Sequence, residues 1–467
     1  MEKSSGLYLL VYDFYEARIL FGYYRNGDRL PPIPDICELF RLGRATVRCA
    51  LSLLEEAGYI RTEERRPARV CYQAGPGGLE QNAAEYFAPR RDGLLELNDA
   101  GRLLLVPLWE AGARGLDNDQ WKAVLQAVRR APPDGPPPSL ELYLFALETL
   151  DNRLVLNLYW EVMSYIRVPA LLDRGRFRDL VEERTILEAL ERKDAVASLS
   201  GVMKDTYFGL EAELFAFIRQ AGPKYGLDSA RQIPFQWNIY RQRPQLRYTL
   251  SSRLIREIVK ARYPVGSYLP SIPELAKEYG VSPATIRRTL ALMEDMGITR
   301  SFQGKGTRVC MERVRPDLGK SEIQEGLRLC REALQLLALT IRGVALHTLE
   351  HATAERRATL AGHLRHSLEV GKSYYCFEII LAFVRLNSPL AMVRECYGAL
   401  SDLVAWGYPF MRLLPNGALE DTYAAWVERL EKRLRHGELD AFSGEWAALM
   451  AQEEKKYAAL LLRGDAK

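Results

Sequence analysis

In the stretch 266–309, GSYLPSIPELAKEYGVSPATIRRTLALMEDMGITRSFQGKGTRV, apolar residues recur with two short helical periods separated by a turn. Leu275, Ala276 and Tyr279 share one face of the first predicted helix. Ile286, Leu290 and Met293, at i, i+4 and i+7, share one face of the second. Gly280 supplies the turn between them. Ser282 is a good N-cap, and Pro283 falls at the first helical position, where its missing N–H leaves nothing unpaired. The polar face of the second helix carries Thr285, Arg287 and Arg288. Two β-like runs follow, joined through Gln303, Gly304, Lys305 and Gly306. The pattern predicts helix, turn, helix and a glycine-tipped hairpin.

The same pattern occurs earlier, displaced by 239 residues without a gap. Segment 27–71, GDRLPPIPDICELFRLGRATVRCALSLLEEAGYIRTEERRPARVC, matches 266–310 at 16 of 45 positions. Pro31 and Pro270, Thr46 and Thr285, Arg48 and Arg287, Gly58 and Gly297 are among the identities. This is an internal repeat, so the chain is built as two halves.

Outside the repeats the periodicity is helical, with no alternating strand pattern of any length. Residues 1–18, MEKSSGLYLLVYDFYEAR, are interrupted by Asp13 and Glu16 before a signal-peptide core forms, and they read as the first helix of the first repeat. After AGPGG at 74–78 helices are expected, broken at PPDGPPPS (132–139). Segment 140–165 is one long apolar-periodic run breached near Asp151 and Asn152. Segment 182–208 is a helical pair with a turn near Lys193 and Asp194. A proline-bearing, basic connector at 223–245 precedes the second repeat, and helices resume to the end. The expected division is 1–75, 76–222, 223–245, 246–312 and 313–467. The fold class is mainly α: two three-helix domains with a small β-wing, alternating with two all-α helical-bundle domains.

A length of 467 residues is too great for one core and suits roughly two to four domains. No window of about 18 apolar residues occurs, so no membrane-spanning helix is expected. The net charge of +4 decides little, but its distribution does. Segment 246–312 holds 11 Lys and Arg against 6 Asp and Glu, whereas 1–75 holds 11 against 10. Phosphate attraction favours the second repeat. The seven cysteines (37, 49, 71, 310, 330, 376 and 396) are odd in number and never spaced C-x-x-C. They read as reduced thiols of a cytoplasmic protein.

At LPSIPELAKEYGVSPATIRRTLALMEDMGITRSFQGKGTRV the chain closely resembles the DNA-binding domain of GntR-family bacterial transcription regulators. The resemblance covers about 65 residues twice. It implies a winged helix-turn-helix, which lays its second helix in the DNA major groove. The family usually carries one such domain per chain and dimerises; two heads in one chain depart from that pattern. Pro34 and Pro273 stand where the family often has an arginine. The first copy has Arg65, Arg66 and Pro67 where the second has wing glycines. More faintly, 144–162 with 183–199, and 377–396, resemble the helical ligand-binding domain of the FadR branch. That resemblance implies a metal held by one Asp and three His, but Tyr143 and Glu378 stand at the first histidine position. Later ones fall on Glu183 and Asp205.

All five histidines lie in the second half. His347 with His351 and His363 with His366 have spacings that can seat zinc. Their segment also reads as a solvated helix pair, which is the reading preferred here. Neither H-E-x-x-H, a phosphate-binding glycine loop nor G-x-S-x-G is present, so no enzyme and no cofactor are expected.

These residues point to a transcriptional regulator that reads double-stranded DNA with two heads. Arg44, Thr46 and Arg48, and Ser282, Thr285, Arg287 and Arg288, are expected in the major groove. Gln303, Gly304 and Lys305, with Arg65 and Arg66, are expected at the backbone or minor groove. The helical halves would place the heads, carry self-association and leave room for a small-molecule effector. One chain already supplies two heads, so a monomeric pseudo-dimer is favoured over a homodimer. The alternatives are an interaction scaffold whose heads no longer read DNA and, behind it, a metal-dependent enzyme.

Overall fold

In the computed structural model, the residues described are 7–40, 42–63, 66–130, 138–167, 196, 214–227, 229–237, 239, 246–312, 317, 319–411 and 416–465. The fold is mainly α, and the chain divides into two compact units, Met1–Arg241 and Gln242–Lys467. Each unit opens with a winged head and continues into a helical body.

In the first unit, α1 (Leu7–Leu20), α2 (Ile33–Phe40) and α3 (Arg44–Glu56) precede a hairpin of β1 (Ile60–Glu63) and β2 (Arg66–Val70). Val47, Ala50, Leu51 and Leu54 of α3 are buried against the head core. The helices α4 (Gly78–Phe87), α5 (Arg91–Arg114), α6 (Asn118–Arg130), α7 (Pro138–Glu148) and α8 (Arg153–Ile166) follow. The break read near Asp151 and Asn152 is the start of α8, where the buried Asn152 side chain accepts from the Val155 N–H at 3.0 Å. A buried cap of this kind satisfies a donor that the helix cannot. At Gly112 α5 meets α7 so closely that a Cβ would lie 2.0 Å from the Ala146 carbonyl oxygen. The helical pair expected at 182–208 lies outside the described residues, apart from residue 196.

The second head repeats the order with α9 (Leu246–Val259), α10 (Ile272–Tyr279), α11 (Pro283–Asp295), β3 (Thr299–Phe302) and β4 (Gly306–Val309). Its body begins with α12 (Ser321–His351), α13 (Ala354–Glu369), α14 (Cys376–Asn387) and α15 (Ala391–Val404). It ends with α16 (Tyr408–Met411), α17 (Asn416–Arg435) and α18 (Leu439–Asp465). The long helices α12 and α18 run against each other. Gly326 of α12 faces the Trp406 ring, and a Cβ there would approach ring carbons to 2.6 Å. Cys330, Cys376 and Cys396 are buried in this core, while Cys49 and Cys71 of the first head are exposed.

Each head is fastened to its own body through its first helix, with opposite polarity. In the first unit, Asp13 and Glu16 of α1 face Arg167, which follows α8, at 3.8 and 3.4 Å. In the second, the cations belong to the head. Arg256 of α9 donates to Glu378 at 2.8 Å and to Asp402 at 2.7 Å, and Lys260 pairs with Glu378 at 2.9 Å. Two uncharged bonds reinforce this seam: Tyr375 donates to the Val259 carbonyl at 2.7 Å, and the Trp406 indole to that of Tyr248 at 3.1 Å.

Candidate nucleic-acid interface

The second recognition element is built by caps. The Ser271 N–H donates to Glu274 at 2.8 Å, and the Ser271 hydroxyl accepts from the Glu274 N–H, closing a capping box on α10. The same hydroxyl, and then the backbone, of Ser271 hold the Glu274 carboxyl below its ordinary value. Gly280 ends α10 at φ +65°, the left-handed conformation that glycine adopts without strain. Burial, and then the Glu278 charge, push the Tyr279 phenol up to about 12, so this ring stays neutral beside the turn. Ser282 accepts from the Thr285 N–H at 3.2 Å and opens α11.

With Ile286, Thr289, Leu290 and Met293 buried, the outer face of α11 consists of Ala284, Arg287, Arg288 and Ala291, all exposed. Two guanidinium groups stand between small residues that let the helix backbone approach a groove wall closely. Among the described residues, none forms an ion pair with Arg287, Arg288 or Lys305. Ser282 is exposed, and Thr285 is half-buried with its hydroxyl 2.9 Å from that of Ser282. In the wing, Thr299 pairs with Val309 and Phe302 with Gly306. Gln303, Gly304 and Lys305 form its exposed tip, with Gly304 at φ +73°.

The first head keeps the frame and loses several of these features. Gly43 stands at the N-cap of α3 and gives no side-chain cap. Arg44 and Arg48 are exposed, but Cys49 occupies the position of Arg288. Thr46 does not point outward as expected: it is 8% exposed, on the buried face of α3 beside Val47. Helical geometry places it one turn before Ala50 and thus toward the core. The hairpin pairs Ile60 with Val70 and slips register between Arg61 and Glu63. Arg66 is exposed but lies 3.7 Å from Glu63, so part of its charge is already answered. Arg65 lies outside the described residues.

One pair of residues that braces the wings was not singled out from the sequence. Arg308 donates to the Gly266 carbonyl at 2.9 Å, and Arg69 donates to that of Gly27 at 3.3 Å. These equivalent arginines tie each wing to the loop before its second helix. Their identity across the repeat was the available signal.

The model of the family described as bacterial regulatory proteins, gntR family, matches residues 7–70 and again 247–309. The chain is a tandem GntR-family regulator. The tandem regulator is also similar to the Uxu operon transcriptional regulator of Escherichia coli (strain K12). The two are 27% identical over 192 residues, 38% of this chain and 74% of that one. Solved GntR structures match at low similarity. The Streptococcus agalactiae GntR has 21% identity and a TM-score of 0.20, covering 45% of this chain and 99% of its own. A putative transcriptional regulator GntR from Rhodococcus sp. RHA1 has 13% identity and a TM-score of 0.26, covering 46% and 98%.

The metal pattern implied by the FadR-like resemblance does not fit the regulator. Glu378 is engaged by Arg256 and Lys260. Tyr143 is buried and stacks on Tyr159 with ring centroids 5.6 Å apart. Asn387 donates to its own helix at the Phe383 carbonyl, 2.9 Å away. Glu183 and Asp205 lie outside the described residues. Among the described residues no group of three His, Cys, Asp or Glu side chains is arranged to hold an ion. His347 and His351 do meet, their ring centroids 4.2 Å apart, whereas His363 and His366 are exposed on α13. No helix among the described residues is long and apolar enough to cross a membrane.

Proposed function

We propose that the chain regulates transcription by sequence-specific binding of double-stranded DNA, with the second head as the stronger reader. The exposed Arg287 and Arg288 between Ala284 and Ala291 on a capped α11 carry this reading. An arginine bidentate to guanine is the commonest specific contact in the major groove. Ser282 and Thr285 would support the helix N-terminus at a phosphate, and Gln303, Gly304 and Lys305 would reach the backbone or minor groove from the wing. Arg44, Arg48 and Arg66 would serve the first head.

The regulator's domains are proposed at 1–75, 76–222, 246–312 and 313–467, with 223–245 as connector. The helical bodies would place the heads and sense a small molecule. Both heads are in one chain, so a monomeric pseudo-dimer would suffice for an asymmetric site, because linkage replaces association from solution.

Selection of bound sequences from a random duplex pool, followed by gel shift with the full chain, tests the reading. A selected site that binds the parent chain and loses binding on Arg287→Ala and Arg288→Ala is the expected result. No enrichment, or enrichment unaffected by both changes, would leave the scaffold reading. The uncapped α3 and register-slipped wing favour that reading for the first head alone.

A further inference from the structure

We propose that the outer face of the second wing is a wedge: Phe302, supported by Tyr268, enters the minor groove, unstacks a base step and kinks the duplex on that head's side alone. The proposal rests on the DNA reading given above, and it adds a deformation of the DNA to it.

The two faces of this wing differ in kind. Thr299, Thr307 and Val309 are buried beneath it, whereas Arg300, Phe302, Gly306 and Arg308 alternate with them and are exposed. Phe302 lies directly opposite Gly306, and Arg300 opposite Arg308. On the other side of β4, Tyr268 pairs with Arg308, two positions from Gly306 and so on the same face. A Cβ on Gly306 would lie 3.8 Å from Tyr268 Cδ1. Among the described residues, Tyr268 alone comes that near apart from the chain neighbours, so Phe302 does not close over the glycine opposite it. The two rings remain 46% and 39% exposed. Large apolar side chains left in water side by side mark a contact surface.

Charge and position name the occupant. Phe302 runs straight into the exposed tip of Gln303, Gly304 and Lys305, the part of the wing proposed above for the backbone or minor groove. Arg300 and Arg308 stand on the same face, and none of its five residues is acidic; Glu312, beyond β4, pairs with Arg300 at 3.3 Å. Apolar rings among cations suit a groove of sugar faces and bases walled by phosphates. Proteins that insert such side chains between base steps bend the duplex by about 20–90°. Pyrimidine–purine steps unstack most easily, so a TA or CA step is the expected target. The first head has no such wedge. The counterparts of Phe302, Gly306 and Tyr268 are Glu63, Pro67 and Arg29, and a carboxylate at the wedge position repels phosphate. The kink is therefore single.

The test uses the full chain and a duplex selected as above, with a dye at each end and 2-aminopurine placed in turn at its TA and CA steps. Binding should raise energy transfer between the ends and brighten 2-aminopurine at one step, on one side of the site. A T·T mismatch at that step, already poorly stacked, should bind the parent chain threefold or more tighter. Phe302→Ala, at an exposed side chain, should keep the thermal melt, abolish the rise in transfer and lose the mismatch preference. Its affinity for the paired duplex should fall about tenfold, and Tyr268→Ala should lose less. A bound duplex that stays straight, or a parent chain indifferent to the mismatch, would overturn the wedge; neither measurement needs a variant. So would a bend unchanged in Phe302→Ala with a parental melt, which would leave the aromatic face to a protein partner. A straight but bound duplex sinks the wedge and leaves the DNA reading standing, whereas failure to select any duplex sinks both.

Discussion

Arg256 of the second head lies against Glu378 of the helical body through 3.1 and 2.8 Å bonds from its Nε and one terminal nitrogen, while its other nitrogen reaches Asp402 at 2.7 Å. The guanidinium is 7% exposed and its two acids 13% and 18%. Removing the cation leaves two carboxylates close together at a largely buried seam, with only the more exposed Lys260 and Arg253 to answer them. Arg256→Ala should destabilise the chain toward the lower end of the roughly 3–5 kcal/mol seen when a buried pair loses one partner, since these acids keep some water. Urea unfolding of the second unit's transition checks it. Replacing Arg256 with Met and Glu378 with Leu together should recover part of the loss.

The two heads predict unequal mutants. Arg287 stands beside Arg288 on a capped helix, whereas Arg48 stands beside Cys49 on an uncapped one. Arg287→Ala should weaken binding to a selected site by about 1–3 kcal/mol, the discrimination carried by one good base contact. Arg48→Ala should lose less. Gel-shift titrations at fixed salt measure both, and equal losses would remove the asymmetry.

Cys49 offers a direct report on the first head. It is exposed on the outer face of α3, next to Arg48, while burial pushes the thiols of Cys330, Cys376 and Cys396 above their ordinary value. In native protein a maleimide should modify Cys49 and Cys71 quickly and the three core thiols hardly at all. Excess specific duplex should protect Cys49 and spare Cys71. If Cys49 stays as reactive with DNA as without, the first recognition helix does not enter a groove.

The capping box of α10 predicts a pH effect of definite sign. The Glu274 carboxyl titrates below its ordinary value because Ser271 bonds its charged form. A depressed acid stabilises the fold above the unfolded-state value, about 4.3 for glutamate, and that contribution fades as pH falls through the lower folded value. Melting temperature should therefore drop more steeply from pH 5 to pH 3 in the parent than in Glu274→Gln. Ser271→Ala, which deletes the cap, should cost about 0.5–2 kcal/mol at neutral pH.

What the sequence made legible was local. Ser282 and Gly280 specify helix ends through bonds to residues three or four positions away, and Pro283 through the N–H it lacks; the structure places both helices and the glycine-tipped wing where those signals put them. Asn152 likewise marked the break between α7 and α8. The partners of Glu378 were not legible, because Arg256 lies 122 positions earlier and no periodicity links them. Thr46 was misjudged for a related reason. Identity with Thr285 suggested an equal outward role, but the rotation of α3 in its own core decides that, and it turns Thr46 inward.

A chain that holds the same head twice faces a hazard of misassembly, since either first helix resembles a tenant for either body. The seams discourage the exchange. Displaced by the 239 residues of the repeat, the counterpart of Arg256 is Ala17. With α1 lodged on the second body, Glu378 and Asp402 would find no cation and would face Glu16 nearby. The counterparts of Asp13 and Glu16 are Ser252 and Ile255, so α9 lodged on the first body would leave Arg167 without an acid. Like-charge crowding and stranded charge penalise the wrong tenancy, as engineered specificity does by adding repulsion against the unwanted partner. The inverted polarity of the two seams thus works as an address: each head carries the charge that only its own half of the chain can answer.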